Sequence, residues 1–143
     1  MTFFRRPAVA WVLFLIWAGA IWYGSTLSLG AESPFRFFGV DKLGHAAEFG
    51  ILGVLAANAL LTRRCISAGG NSERKIFWLS LLMAGGWGLV DEVHQIWVPG
   101  RTTDPLDLVA DIAGASIGAW LLMRWIAPAL QDTERRNDAG VEG

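Results

Sequence analysis

Three groups of polar residues interrupt otherwise apolar stretches of the sequence. They are Asp41, Lys42, His45 and Glu48; then Asp91, Glu92 and Gln95; then Arg101, Asp107 and Asp111. Imidazole and carboxylate side chains serve as general acids and bases, and carboxylates bind divalent cations. Lysine and arginine bind phosphate groups. The residue types therefore predict either acid–base chemistry or the binding of a phosphate-bearing molecule.

We divide these residues into two sets of candidates. The candidate catalytic residues are His45, Glu48, Asp91, Gln95 and Asp107. In this interpretation His45 or Glu48 is the general base, while Asp91 and Asp107 hold a hard cation or orient a water molecule. The candidate substrate-binding residues are Lys42, Arg101, Asp41, Glu92 and Asp111. A divalent cation is compatible with these carboxylates, but neither a cysteine cluster nor a His-Glu-x-x-His motif identifies a metal.

The elements that must position these residues are four long apolar segments. The chain has 143 residues, is 53% hydrophobic and only 17% charged, and residues 8–31 contain no charge at all. Soluble domains carry about 25% charged residues, so a soluble enzyme, a disordered chain and a coiled coil are excluded. The segments are Ala8–Leu29, Leu43–Leu61, Ile76–Val98 and Pro105–Ala127. As helices, each covers a hydrocarbon core of about 30 Å.

The fold class that follows is all-α: a polytopic membrane protein with four transmembrane helices in a bundle. We assign residues 1–128 to this transmembrane domain and residues 129–143 to a disordered cytoplasmic tail, because the tail is polar and ends in glycine. The net charge of −1 and the pI near 6.1 give no basis for binding nucleic acid. A single cysteine, Cys65, excludes a disulfide framework.

The distribution of lysine and arginine predicts the orientation. With the N-terminus inside, nine basic residues lie on the cytoplasmic side and three on the outer side, which is the bias expected of a membrane protein. Both termini are then cytoplasmic, and all three polar groups fall at the outer ends of their helices. Trp22, Tyr23 and Trp97 are expected at the outer interface, and Trp78 and Trp125 at the inner one.

Helical phase predicts where the polar side chains point. Asp91 and Gln95 share a helix face with Ala84 and Gly88, and Asp107 and Asp111 share one with Gly114 and Gly118. Asp41, His45 and Glu48 likewise lie within about 60° of arc. Small residues let helices approach closely in lipid, so these faces are expected to point into the bundle.

Each polar residue also has a purely structural interpretation. Asp104, followed by Pro105 and Asp107, is typical of a helix N-cap, and Asp41 is a second candidate cap. Lys42 is compatible with a lysine that extends to the interface. Glu92 and His94 are compatible with side chains that only face the headgroups. The remaining candidates could serve as structural hydrogen-bonding groups.

The motifs in order resemble those of the VanZ-like family of bacterial membrane proteins. They are Asp41-Lys42-x-x-His45, Asp91-Glu92-x-x-Gln95, Val98-Pro99-x-Arg101, Asp107 and Asp111-x-x-Gly114. The resemblance covers residues 8–125. It implies a protein of the bacterial cell envelope with a link to resistance against the glycopeptide teicoplanin, and it does not imply a particular reaction.

Three functions remain open on the sequence. The outer site could bind an envelope lipid or lipid-linked precursor without changing it. It could belong to a metal-dependent or acid–base enzyme that acts on a lipid-linked phosphate. A small transporter is the third alternative, and it would require a homodimer because four helices are too few to enclose a pathway.

Overall fold

The computed structural model describes residues 6–27, 40–62, 72–101 and 103–126. These residues form four α-helices: α1 (Pro7–Thr26), α2 (Val40–Thr62), α3 (Ser72–Gln95) and α4 (Pro105–Leu121). A π-helical turn, Leu122–Ile126, continues α4. All four helices are long and apolar enough to cross a membrane, and the described ranges contain no strand. The predicted all-α bundle of four membrane helices is therefore confirmed.

The helices begin and end where local chemistry permits. α1 and α4 each start at a proline, which lacks the N–H that the first helical turn leaves unpaired. Asp104 caps α4, since its side chain accepts a hydrogen bond from the N–H of Leu106 at 2.9 Å. The predicted N-cap role of Asp104 is correct. That of Asp41 is wrong, because α2 begins at Val40 and Asp41 lies within its first turn.

A tight turn between α3 and α4 ends the third helix earlier than the apolar run ends. The N–H of Ile96 bonds to the carbonyl of Val93, and the N–H of Arg101 bonds to the carbonyl of Val98 at 3.1 Å. Pro99 and Gly100 are the central residues of this turn, and Gly100 has a φ of 82°. Proline followed by a glycine of positive φ is the sequence of a type II turn. The turn brings Arg101 back toward the helix ends.

Helices α2 and α4 form the most extensive pair, and backbone packs directly on backbone between them. A Cβ atom at Gly114 would collide with the backbone of Ala46, one at Gly118 with Gly50, and one at Gly53 with Ala115. α3 packs against both helices, and α1 packs mainly on α2. The central apolar cluster includes Phe14 of α1 and Phe49 and Leu52 of α2.

The boundary expected at residue 128 and the polar tail at 129–143 lie outside the described residues. So do several of the basic residues used to predict the orientation: Arg5, Arg36, Arg63, Arg64, Arg135 and Arg136.

Candidate functional site

One end of the bundle, which we call the polar end, collects the polar residues of all four helices. It consists of the C-terminal ends of α1 and α3 and the N-terminal ends of α2 and α4. Side-chain contacts join these ends: Ser25 to Asp91, Lys42 to Asp107, and His45 to Asp111. Up-and-down connection of the four helices places these residues at one level, although they are far apart in the sequence.

Lys42 is shared between two carboxylates. Its Nζ lies 2.7 Å from Oδ2 of Asp104 and 2.5 Å from Oδ1 of Asp107. The ammonium group of Lys42 and the N–H of Leu106 hold the pKa of the Asp104 carboxyl below its usual value. Lys42 therefore ties the start of α2 to the start of α4, and its charge is already neutralised by the protein's own acids.

His45 lies between two further carboxylates of α4. Its Nδ1 is 3.0 Å from Oδ1 of Asp111, and its Nε2 is 3.9 Å from Oδ2 of Asp107. Asp111 is 1% exposed, and its other oxygen packs against Gly88, where a Cβ would lie 3.0 Å away. A carboxylate bonded to Nδ1 fixes the ring orientation and leaves Nε2 as a free base or ligand atom.

Asp91 makes a separate and complete set of hydrogen bonds. Its Oδ1 accepts from the hydroxyl of Ser25 at 2.6 Å, and its Oδ2 accepts from the amide of Gln95 at 3.0 Å. All three side chains are buried. This arrangement satisfies a carboxylate without a cation, and it joins α1 to α3.

Three buried polar atoms at the polar end have no hydrogen-bond partner among the described residues: Oε1 of Glu92, Nε2 of His94 and Nε of Arg101. Glu92 is 7% exposed. Its carboxylate lies against the backbone N–H of Asp104, and Asp107 is the charge that acts on it most strongly. The interpretation of Glu92 as a headgroup-facing side chain is therefore wrong.

The structure differs from the helical-phase prediction on α2. Asp41 and Glu48 are exposed, and only His45 is partly buried. α2 turns Ala46, Gly50 and Gly53 toward α4 because these small residues permit the close approach. The polar stripe is thereby left at the edge of the interface. On α3 and α4 the prediction is correct, since Asp91, Gln95, Asp107 and Asp111 are all buried.

Two tryptophans of α1 contact residues of the neighbouring helices close to the site. Trp22 stacks on His94 with ring centroids 3.9 Å apart, and Trp17 donates to the backbone carbonyl of Glu48. Trp22 is partly buried. Tyr23, Trp78, Trp97 and Trp125 are exposed, and the positions of all five residues at the membrane interfaces stay a prediction.

Two features of the polar end were not predicted from the sequence: Ser25 and the pairing of Asp104 with Lys42. Ser25 and Thr26 are polar residues at the end of a long apolar helix, and this was the available signal for Ser25. Asp104 had been interpreted only as a cap.

The chain matches the VanZ/LLP1 family over residues 2–127. The match covers all four helices and every residue of the polar end. The chain belongs to the VanZ/LLP1 family. The resemblance drawn from the three motifs is thus confirmed. No curated protein and no solved structure matches the chain.

Family membership and the four apolar helices make this a multi-pass membrane protein of the VanZ/LLP1 family. The polar end offers one nitrogen of a histidine ring whose orientation is fixed, an excess of carboxylates, and one arginine whose Nε has no partner among the described residues.

Proposed function

We propose that this VanZ/LLP1 protein lies in the bacterial cytoplasmic membrane with both termini inside, and that its polar end faces outward. Arg6, Arg74, Lys75 and Arg124 lie at the opposite end of the bundle, whereas Lys42 and Arg101 lie at the polar end. This asymmetry supports the orientation, because short cytoplasmic segments carry the excess of basic residues.

We further propose that the polar end binds the headgroup of an envelope lipid or of a lipid-linked envelope precursor. The observation that carries the proposal is Arg101. It is half-buried, a tight turn holds it beside the helix ends, and its Nε has no partner among the described residues. The planar guanidinium group can donate two parallel hydrogen bonds to two oxygens of one phosphate. Because Lys42 is occupied by two aspartates, Arg101 is the cation left to receive the headgroup.

The test is lipid retention. The protein is purified in mild detergent, and the bound lipids are identified by mass spectrometry. We expect the wild type to retain a phosphate-containing lipid, and Arg101→Ala to lose most of it. Arg124→Ala is the matched control, since Arg124 lies at the opposite end against Trp125 and its loss should leave retention unchanged. Equal retention by both variants would refute the role of Arg101.

An acid–base enzyme is the second candidate, and the pairing of His45 with Asp111 favours it. The Nδ1 contact fixes the ring, and Nε2, which lies 3.9 Å from Oδ2 of Asp107, is left to accept a proton, as a general base must. Incubation with the retained lipid distinguishes the two functions: an enzyme changes the lipid, whereas a binding protein returns it unaltered.

Transport has no comparable support. The helical stretches between the polar end and the opposite helix ends contain one ionisable group, Tyr23. These stretches are residues 7–26 of α1, 49–62 of α2, 76–90 of α3 and 112–123 of α4. The homodimer that transport would require is checked by the mass of the purified protein.

The link of the family to glycopeptide resistance fits the binding proposal. A protein that holds a lipid-linked precursor at the outer surface changes which precursors the antibiotic can bind there.

A further inference from the structure

We propose that the polar end contains a binding site for a divalent transition-metal ion, formed by Asp41, His45 and Asp107. The inference adds to the proposed headgroup site and rests on it only for the biological role of the ion. One potential ligand atom from each of the three side chains lies within 4.8 Å of the other two. α2 supplies two of these ligands and α4 supplies the third.

His45 has the geometry of a metal ligand rather than that of a simple ion-pair partner. Asp111 engages Nδ1 at 3.0 Å, which leaves Nε2 directed at Asp107 Oδ2. The distance of 3.9 Å between those two atoms is too long for a hydrogen bond. Two ligands of one zinc ion lie roughly 3.3 Å apart for tetrahedral bonds of about 2.0–2.1 Å, so a small movement would accommodate an ion. A carboxylate behind a histidine ligand is the usual outer-shell partner.

Glu92 provides an independent reason to expect a cation. It is 7% exposed, its Oε1 has no partner among the described residues, and Asp107 is the charge that acts on it most strongly. It also lies in the last turn of α3, where the helix dipole disfavours an anion. Its neighbour Asp91 faces the same disadvantage and is stabilised by Ser25 and Gln95.

The charges around the site also favour a cation. Five carboxylates outnumber the three basic side chains of the polar end: Asp41, Asp104, Asp107, Asp111 and Glu92 against Lys42, His45 and Arg101. Lys42 occupies Oδ1 of Asp107 and leaves Oδ2 for the ion. A bound ion would neutralise part of this excess and allow a phosphate to approach beside Arg101.

The ligand set selects the class of ion. One imidazole nitrogen with carboxylate oxygens suits zinc, manganese or iron, whereas magnesium and calcium prefer oxygen ligands alone. Asp41 is exposed, so the site is open on one side. Open positions are typical of ions that also bind a substrate or a headgroup.

The test is metal titration of the full-length protein in detergent after treatment with a chelator. We expect about one Zn²⁺ or Co²⁺ per chain, with Mg²⁺ unable to compete at equal concentration. His45→Gln and Asp41→Asn should each weaken binding at least tenfold, and His45→Gln should change the absorption spectrum of bound Co²⁺. Asp41→Asn protects the test against unfolding, because this side chain is exposed.

Adjacent residues on α3 supply matched controls. Glu92→Gln should weaken metal binding, whereas Asp91→Asn should leave it unchanged. A further control on α2 is Glu48→Gln, which should also leave metal binding unchanged because Glu48 is exposed. Absence of stoichiometric binding, or equal affinities for wild type, His45→Gln and Asp41→Asn, would overturn the site. Equal effects of Glu92→Gln and Asp91→Asn would also overturn the site. They would show that the ion is attracted by the overall negative charge and not bound by specific ligands.

The metal site and the headgroup site can fail separately. If no metal binds but Arg101-dependent lipid retention persists, the cation site is wrong and the proposed function stands. If one equivalent binds through His45 and Asp41 while no lipid is retained, the cation site stands and the headgroup proposal is wrong.

Discussion

At the scale of single residues, the adjacent carboxylates of Asp91 and Glu92 differ in how they are hydrogen-bonded. Both are buried near the end of α3. Asp91 receives a hydrogen bond on each oxygen, whereas Oε1 of Glu92 receives none from the described residues. A carboxylate with both oxygens hydrogen-bonded is consistent with a structural role, whereas an unpaired oxygen such as Oε1 of Glu92 is available to a ligand. Asp91 is therefore less suited to acid–base work than its motif suggests.

This view predicts the stability of Asp91 variants. Asp91→Ala should lower the free energy of unfolding by about 1–3 kcal/mol, because it leaves the Ser25 hydroxyl and the Gln95 amide buried without an acceptor. Asp91→Asn should cost less, since asparagine keeps one acceptor and the Gln95 amide can rotate to accept in turn. Thermal unfolding in detergent, followed by tryptophan fluorescence, measures both. An alanine variant as stable as the asparagine variant would contradict the structural role.

At the scale of elements, the contact between α2 and α4 determines which side chains reach the site. Glycines of α4 lie on the backbone of α2 at Ala46 and Gly50, and Gly53 of α2 lies on Ala115. This close approach brings His45 to Asp111 and Lys42 to Asp107. A larger separation of the two helices would break both contacts, so the small-residue interface is the support of the site.

We expect Gly114→Ala and Gly118→Ala to destabilise the protein by about 1–3 kcal/mol each, because the added methyl group meets backbone that cannot move aside like a side chain. Gly86→Ala on α3 is the matched control. A Cβ there meets nothing within 4 Å, and alanine favours helix by up to about 1 kcal/mol. Thermal unfolding of the three variants checks the prediction. If all three behave alike, α2 and α4 do not pack through these glycines.

At the scale of the whole molecule, the different charges at the two ends of the bundle predict its orientation in the membrane. One end carries the buried carboxylates, His45 and Arg101, while the other carries Arg6, Arg74, Lys75 and Arg124. The basic end is expected to stay in the cytoplasm, and the site is then available only from outside.

Reporter fusions test this orientation. Fusions at Gly70 and at the C-terminus should report the cytoplasm, and a fusion at Ser33 should report the outer side. The physical basis is the excess of basic residues near the ends opposite the site. A cytoplasmic signal at Ser33 would invert the protein and contradict an outward-facing headgroup site.

The sequence by itself determined the four membrane helices, the cap at Asp104 and the convergence of polar residues at one end. Long charge-free runs have no alternative in lipid, because only a helix satisfies their backbone hydrogen bonds within one segment. Alternating connection of four spans then places alternate helix ends at one level. On α3 and α4 the helical periodicity was enough to predict the buried face, because carboxylates and small residues share that face.

Only the tertiary structure decided which polar groups are paired and which are left. On α2 the small residues, and not the polar ones, pack against α4. Asp41 and Glu48 are therefore exposed, and His45 lies at the edge of the interface. Ser25 and Asp104 acquired partners 66 and 62 positions away, which no local pattern specifies. Pairing depends on helix rotation and on separations of a few tenths of an ångström. Those are set by side-chain volume across the whole interface, and the sequence of one helix does not contain them.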